Sequence, residues 1–307
     1  MSKVEAWKNF NLGEELGIAG VFLYNGLRRF HDMRALDYDD EIFEVLYNLA
    51  VGLERVFKIA IVLAEHDVRQ DQRDFEQSLY THSHAALFER LSKQCKLDLV
   101  TEHIAVLHLL TNFYTNFRYG RFSLDSVYDP AKEQRGLFHL LNHQLGTNLE
   151  RDDSIFIKEN KPIYRKHLTT LILKIARELY AFITDRAMDL RLNTYELRYD
   201  SKASRVFQRD PKTLFLTEEL AWKELLLFLM NSTEESGALE FLRGLEPLGI
   251  DPAMVPEYLE GYGSRPLPGS LIDEVDSLYD ELDKVGERLK TMELIGNPNV
   301  GLDEVTL

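Results

Sequence analysis

The chain has 307 residues, is 45% hydrophobic and carries a net charge of −15 with a pI near 5.1, which is enough for one large or two ordinary globular domains. A core of that size needs no disulfide or metal, and the lone Cys95 excludes a disulfide framework and a cysteine-based zinc site. The longest apolar runs, IAIVLA and LLLFLM, are too short to cross a bilayer, and the charged opening MSKVEAWKNF has no signal-peptide core; a soluble cytoplasmic protein without membrane contact is expected.

Residues 37–67 hold the first strong helical pattern. Ile42, Leu46, Leu49, Leu53, Val56, Phe57, Ala60 and Ile61 recur at spacings of three and four, placing them on one helical face. Asp37, Asp39 and Asp40 cluster at its start, where carboxylates suit free N–H groups and the helix dipole. Further helices are predicted in HAALFERLSKQ, in TEHIAVLHLLTNFYTNF and, after a polar stretch with Asp129-Pro130, in EQRGLFHLLNHQL. A loop at GTNLERDDS leads to the longest predicted helix, residues 163–192. TYELRY and RVFQRD then have the alternating or aromatic content of short strands or of an extended connection. ELAWKELLLFLMN has the composition of a buried helix. Ser232 and Glu235 form a capping-box pattern before a short helix at GALEFLRGL.

The glycines and prolines of residues 261–270 mark a linker. Beyond it Leu271, Val275, Leu278, Leu282, Val285 and Leu289 alternate by four and three, the narrow seam of a helix that docks on its own body or on a partner. The expected organisation is mainly α: a helical bundle over residues 1–192 that includes the long helix, and a helical extension with short strands over 193–260. The linker at 261–270 and an amphipathic helix and tail over 271–307 complete it. Charge is uneven along this plan. Residues 236–307 carry 15 acidic and 5 basic side chains, whereas residues 151–212 carry 14 basic and 9 acidic.

All nine histidines lie at or before His167. His139 and His143 have the i, i+4 spacing of two ligands on one helix face, and His82 and His84 are further candidates. No HExxH pattern supplies a general base, so no metal and no cofactor is predicted. There is no G-x-S-x-G elbow around Ser264, no Walker loop and no G-x-G-x-x-G. Asp153, Glu159 and Lys161 have the residue types of a metal-dependent nuclease but lie between helices rather than on a sheet. The stretch from Arg186 to Lys212 is richer. Arg186, Arg191, Arg198, Lys202, Arg205 and Arg209 interleave with Tyr195, Tyr199 and Phe207, a mixture suited to phosphates and stacked bases, or to a salt-bridged solvated face.

Three stretches within residues 41–122, GLERVFKIAIVLAEH, THSHAALFERL and NFYTNFRYGRF, resemble the Gly-x-Glu-Arg helix, the His-x-x-Leu helix start and the aromatic Arg-Tyr helix end of HEPN-domain proteins. The resemblance implies an all-helical HEPN-like bundle, frequent dimerisation and a role in prokaryotic defence or toxin systems acting on RNA. Catalytic members carry an arginine, four to six residues, then a histidine. Here the positions after Arg118 hold Ser123, Leu124 and Asp125, and those after Arg121 hold Ser126, Val127 and Tyr128. His139 and His143 fall too near and too far from Arg135. The expectation is therefore a binding or assembly component, a homodimer or hetero-oligomer with RNA as a further partner, that lacks the Arg–His site. Two alternatives stand beside it. One is a metal-independent ribonuclease in which Arg118, Arg121 and a distant His84 or His139 converge; the other is an adaptor that acts through its acidic C-terminal region.

Overall fold

Helices α2 (Leu12–Asp32) and α3 (Asp39–Glu65) form an antiparallel hairpin at the centre of the first compact unit. Their backbones approach closely because glycines face the crossing. A methyl group on Gly52 would meet Leu23 at 2.7 Å, and one on Gly26 would meet Leu49 at 2.9 Å. Leu23, Leu27 and Phe30 of α2 are buried against Leu46, Leu49, Leu53 and Phe57 of α3. From Leu49 to Leu63 nearly every side chain of α3 is buried, so this helix is wrapped on several sides rather than along one stripe.

The computed structural model describes residues 2–124, 131–151, 157–199, 201–262 and 269–301; Arg121 is described by its backbone alone. The features expected at Asp129-Pro130, Asp153, Ser264, most of the 261–270 linker and the last six residues lie outside these ranges. The described residues are mainly α-helical and contain no strand; an isolated bridge joins Ala35 to Glu159.

A short α1 (Lys3–Ala6) leads into α2, and α4 (Gln72–Ser78) follows α3, its first turn capped by Asp71. Around α3 pack α5 (His84–Ser92), α7 (Lys132–Leu145) and α8 (Pro162–Asp189), and α6 (Thr101–Asn112) fits between them. Ser83 caps α5, and Pro162 opens α8, where its missing N–H costs nothing.

Buried polar groups lock the corner between α2 and α3. The Asn160 side-chain amide donates to the carbonyls of Phe30 and Met33 at 2.7 and 3.1 Å, and Gln134 donates to that of Leu36 at 2.7 Å. The Asp37 carboxylate receives the Lys158 backbone N–H, and Asp39 pairs with Arg151 at 3.2 Å. The acidic cluster thus ties the corner to distant chain; Tyr38, not an aspartate, is the N-cap of α3.

Two compact units divide the chain, Met1–Leu214 and Phe215–Leu307. The first runs past the expected boundary at 192 because α9 (Lys202–Phe207) packs on α2. The Ala203 backbone lies 3.3 Å from where a side chain on Gly20 would begin, and Ala203, Val206 and Phe207 are buried. The residues read as short strands form a 3-10 turn at Tyr195–Leu197 and this helix. In the second unit α10 (Leu216–Asn231) has no buried residue, contrary to the buried helix its composition suggests.

Ser236, rather than Ser232, caps α11 (Gly237–Gly244); α12 (Val255–Gly261) follows. The expected seam helix is two helices, α13 (Gly269–Asp280) and α14 (Val285–Met292), parted at a segment rich in Asp and Glu. Along the seam Leu271 is buried, Val275, Leu278, Leu282 and Val285 are half-buried, and Leu289 is exposed.

The α2–α3 crossing has no room for a side chain at Gly52, because Leu23 is fully buried and cannot swing away. Gly52→Ala should therefore lower stability by about 1–3 kcal/mol, read as a shift of the urea midpoint at constant slope.

Candidate functional site

Tyr47, Glu54 and Lys58 fall seven and four residues apart on α3 and so share a face. Glu54 is buried, and both carboxylate oxygens are engaged: Lys58 Nζ lies 2.6 Å from Oε1 and His82 Nδ1 2.9 Å from Oε2. A carboxylate can only accept, so Nδ1 carries a proton, on a ring that is 56% exposed. His82 comes from the extended segment just before α5.

The other half of the site comes from the end of α6, where the helix widens into a π-helical turn, Phe113–Phe117, closed by the Arg118 N–H on the Phe113 carbonyl at 2.9 Å. Such turns reorient side chains and recur at functional sites. This one places Tyr114 against the His82 ring, centroids 4.6 Å apart, and sets Arg118 among three tyrosines. The guanidinium lies 4.5 Å from the Tyr114 ring, 4.9 Å from Tyr119 and 5.2 Å from Tyr47. These are cation–π distances, and among the described residues Arg118 has no carboxylate partner. Burial raises the Tyr114 pKa, and the Arg118 charge works against that rise. One ring thus contacts both an exposed imidazole and an arginine that no acid among the described residues pairs with.

The remaining candidates fall elsewhere. His84 is fully buried, its Nε2 donating to the Ala50 carbonyl at 2.8 Å while Nδ1 has no partner among the described residues. Closed to solvent, it is a core histidine of the α3–α5 contact. His139 and His143 stack at 6.4 Å on exposed turns of α7, and among the described residues no group of three or more His, Cys, Asp or Glu could hold a metal ion. Arg121 lies in the 3-10 turn Gly120–Phe122 after Arg118, and its side chain is outside the described set. Glu54 and His82 are the residues that spacing did not single out as a pair. The i, i+4 Glu-Lys spacing on α3 was the visible signal, and nothing local announces the histidine 28 residues later.

A second surface lies at 186–209. Arg186 pairs with Asp189 at 3.0 Å, and its charge, after burial, helps hold Lys8 below the usual lysine range. Arg191 has φ of 55° and serves the helix stop: its N–H reaches the Met188 carbonyl and that of Leu192 reaches Ala187, which ends α8 in a left-handed turn. Arg198, Lys202 and Arg205 are exposed and, among the described residues, have no ion pair. Lys202 and Arg205 share the outer face of α9 opposite buried Ala203 and Phe207. Arg209 is half-buried, and its carbonyl accepts from Arg177. Tyr195 and Tyr199 are 53% and 89% exposed beside them, and Arg198 lies 5.9 Å from the Tyr195 ring. The salt-bridged alternative describes Arg186; Arg198, Lys202 and Arg205 form a basic and aromatic strip open to solvent.

No family model, no curated protein and no solved structure matches the chain.

Burial holds His84 below its ordinary value of 6.5; the Ala50 carbonyl and Glu54 pull upward against it, and His82 and Lys58 push further down. The folded state therefore binds this proton less readily than the unfolded chain. Its contribution is fully present above pH 6.5 and is lost as pH falls toward the depressed folded value. Denaturation between pH 7.5 and 5 should show a decline of up to about 1.4 kcal/mol per pH unit for each such group, shallower in His84→Gln by about one proton. His103 and His167, also shifted down by burial, would supply the slope that remains.

Proposed function

We propose that the protein is a HEPN-like assembly component of a prokaryotic defence or toxin-type system, one that holds RNA on the strip formed by Arg198, Lys202, Arg205, Tyr195 and Tyr199. The observation that carries the reading is the exposure of these cations, without acidic partners among the described residues, beside two exposed tyrosine rings. Cations that release counterions from phosphates, next to flat rings on which bases stack, are the two ingredients of single-strand binding. The HEPN-like motif resemblance along α3, α5 and α6 supports the system assignment, and its members' habit of dimerising makes a homodimer or hetero-oligomer the expected form. The acidic adaptor alternative gains nothing from this strip, which is basic.

Cleavage is the second reading, favoured by the Glu54–His82 pair beside Arg118. An imidazole whose Nδ1–H is held by a carboxylate can take a proton at Nε2, and a guanidinium nearby can stabilise a phosphorane. This arrangement replaces the absent Arg-x4-6-His spacing by groups from three elements, with His82 in place of His84 or His139.

One set of experiments addresses both. Labelled single-stranded RNA should bind with an affinity that falls steeply with salt. Replacing Arg198, Lys202 and Arg205 by Ala should flatten the slope of log affinity against log salt by up to about 2; an unchanged slope sinks the binding surface. RNA recovered intact after prolonged incubation supports binding alone, whereas cleavage abolished by His82→Ala and by Arg118→Ala establishes the second reading.

A further inference from the structure

Helix α10 leaves a run of large apolar side chains uncovered. Leu225, Leu226, Leu227, Phe228 and Met230 are 56, 37, 56, 47 and 75% exposed. These residues are consecutive or nearly so, and at about 100° per residue they encircle the helix. A helix that is apolar all round is ordinarily interior, and monomers seldom leave a contiguous apolar patch beyond a few hundred Å² open. Toward the N-terminus charge is added: Glu218, Glu219 and Glu224 accompany a single Lys223 beside the exposed Leu216 and Leu220. An apolar tip with an acidic base is a knob rather than a flat face, and it fits a groove that closes round it.

The charge of the unit that carries this knob decides between occupants. Residues 215–307 hold 20 acidic and 6 basic side chains, net −14, while residues 1–214 hold 31 and 30, net −1. Nearly all the net negative charge of the molecule therefore belongs to the unit that displays α10. Pairing two such units would bring two net charges of −14 together, and an anionic lipid surface would be repelled in the same way. A cationic rim is attracted.

We infer that α10 is a docking helix for a protein partner that offers an apolar groove rimmed by lysine and arginine. The inference rests on the assembly reading above and names the partner's chemistry, independently of the RNA strip.

The probe is a synthetic amphipathic helical peptide of leucine and lysine, added to the full chain carrying Trp7→Phe so that Trp222 of α10 is the sole tryptophan. Its emission should shift to the blue with saturable binding, and affinity should weaken as salt rises. Leu225→Glu with Phe228→Glu should weaken binding about tenfold or more while leaving the far-ultraviolet spectrum and the melting of the chain unchanged, since both side chains are exposed. Equal binding by a scrambled peptide of the same composition, equal binding by a leucine–glutamate peptide, or no binding at all overturns the inference. So does a concentration-dependent dimer that the double substitution dissolves, because a second copy would then cover the helix. Slow amide exchange across α10 in the isolated monomer overturns it too, since the chain would then cover its own helix. A chain that ignores the peptide yet binds RNA with the expected salt slope loses this inference alone.

Discussion

The close crossing of α2 on α3 is the constraint on which the first unit depends. Gly26 and Gly52 let two helices approach until leucine side chains touch backbone, and only then can Leu23, Leu27, Leu49 and Phe57 be excluded from water together. The same helix α2 turns its other glycines outward. Gly13 faces Thr194 and Glu196, and Gly20 faces Ala203, so the segment after α8 is drawn onto α2. Each glycine here costs helix propensity, about 1 kcal/mol against alanine, offset by the area that close approach removes from water. The corner between the two helices has no room for error, and Asn160 closes it by satisfying carbonyls at the end of α2 that would otherwise be buried unpaired.

Core and candidate site share α3. A helix wrapped on several sides still has one region where a polar group can be held at the edge, and Glu54 occupies it. Burying a carboxylate is tolerable only when it is paired, so Lys58 and His82 are structural partners as much as functional ones. That double role explains the geometry. The pairing that compensates Glu54 also puts a proton on Nδ1 of His82 and holds its exposed ring in one orientation. Arg118 is different in kind. Among the described residues its charge is met by tyrosine faces, which attract a cation without neutralising it.

What could be read from the sequence follows periodicity closely. The spacing of apolar residues between 42 and 61 located α3, and the same signal located α5, α6, α7 and α8. Helix α2 carries Gly13, Gly17, Gly20 and Gly26, residues of low helix propensity whose packing partners come from distant chain. The residues read as strands became a 3-10 turn and α9 because the small Ala203 fits against Gly20, a long-range contact that no local pattern carries. Of the site, Arg118 and His82 are visible as residues, but His82 meets Glu54 only through the packing of α5 on α3, and Tyr114 joins that pair to Arg118. His84 showed the opposite failure. It stands two residues from His82, yet the start of α5 turns one ring outward and the other into the core.

Helix α10 shows where composition misleads. Leucine-rich sequence is evidence that a segment is apolar, and burial is then inferred from the assumption that the chain covers its own apolar surface. Here that assumption fails along LLLFLM, and it fails inside the most acidic third of the protein. The two features act on different things. Apolar area supplies affinity wherever it is covered, while a uniform charge of one sign raises the cost of self-association and of many chance encounters. A unit built this way can leave a sticky helix exposed and still discriminate among partners, because the groove that accepts α10 must also bring the opposite charge.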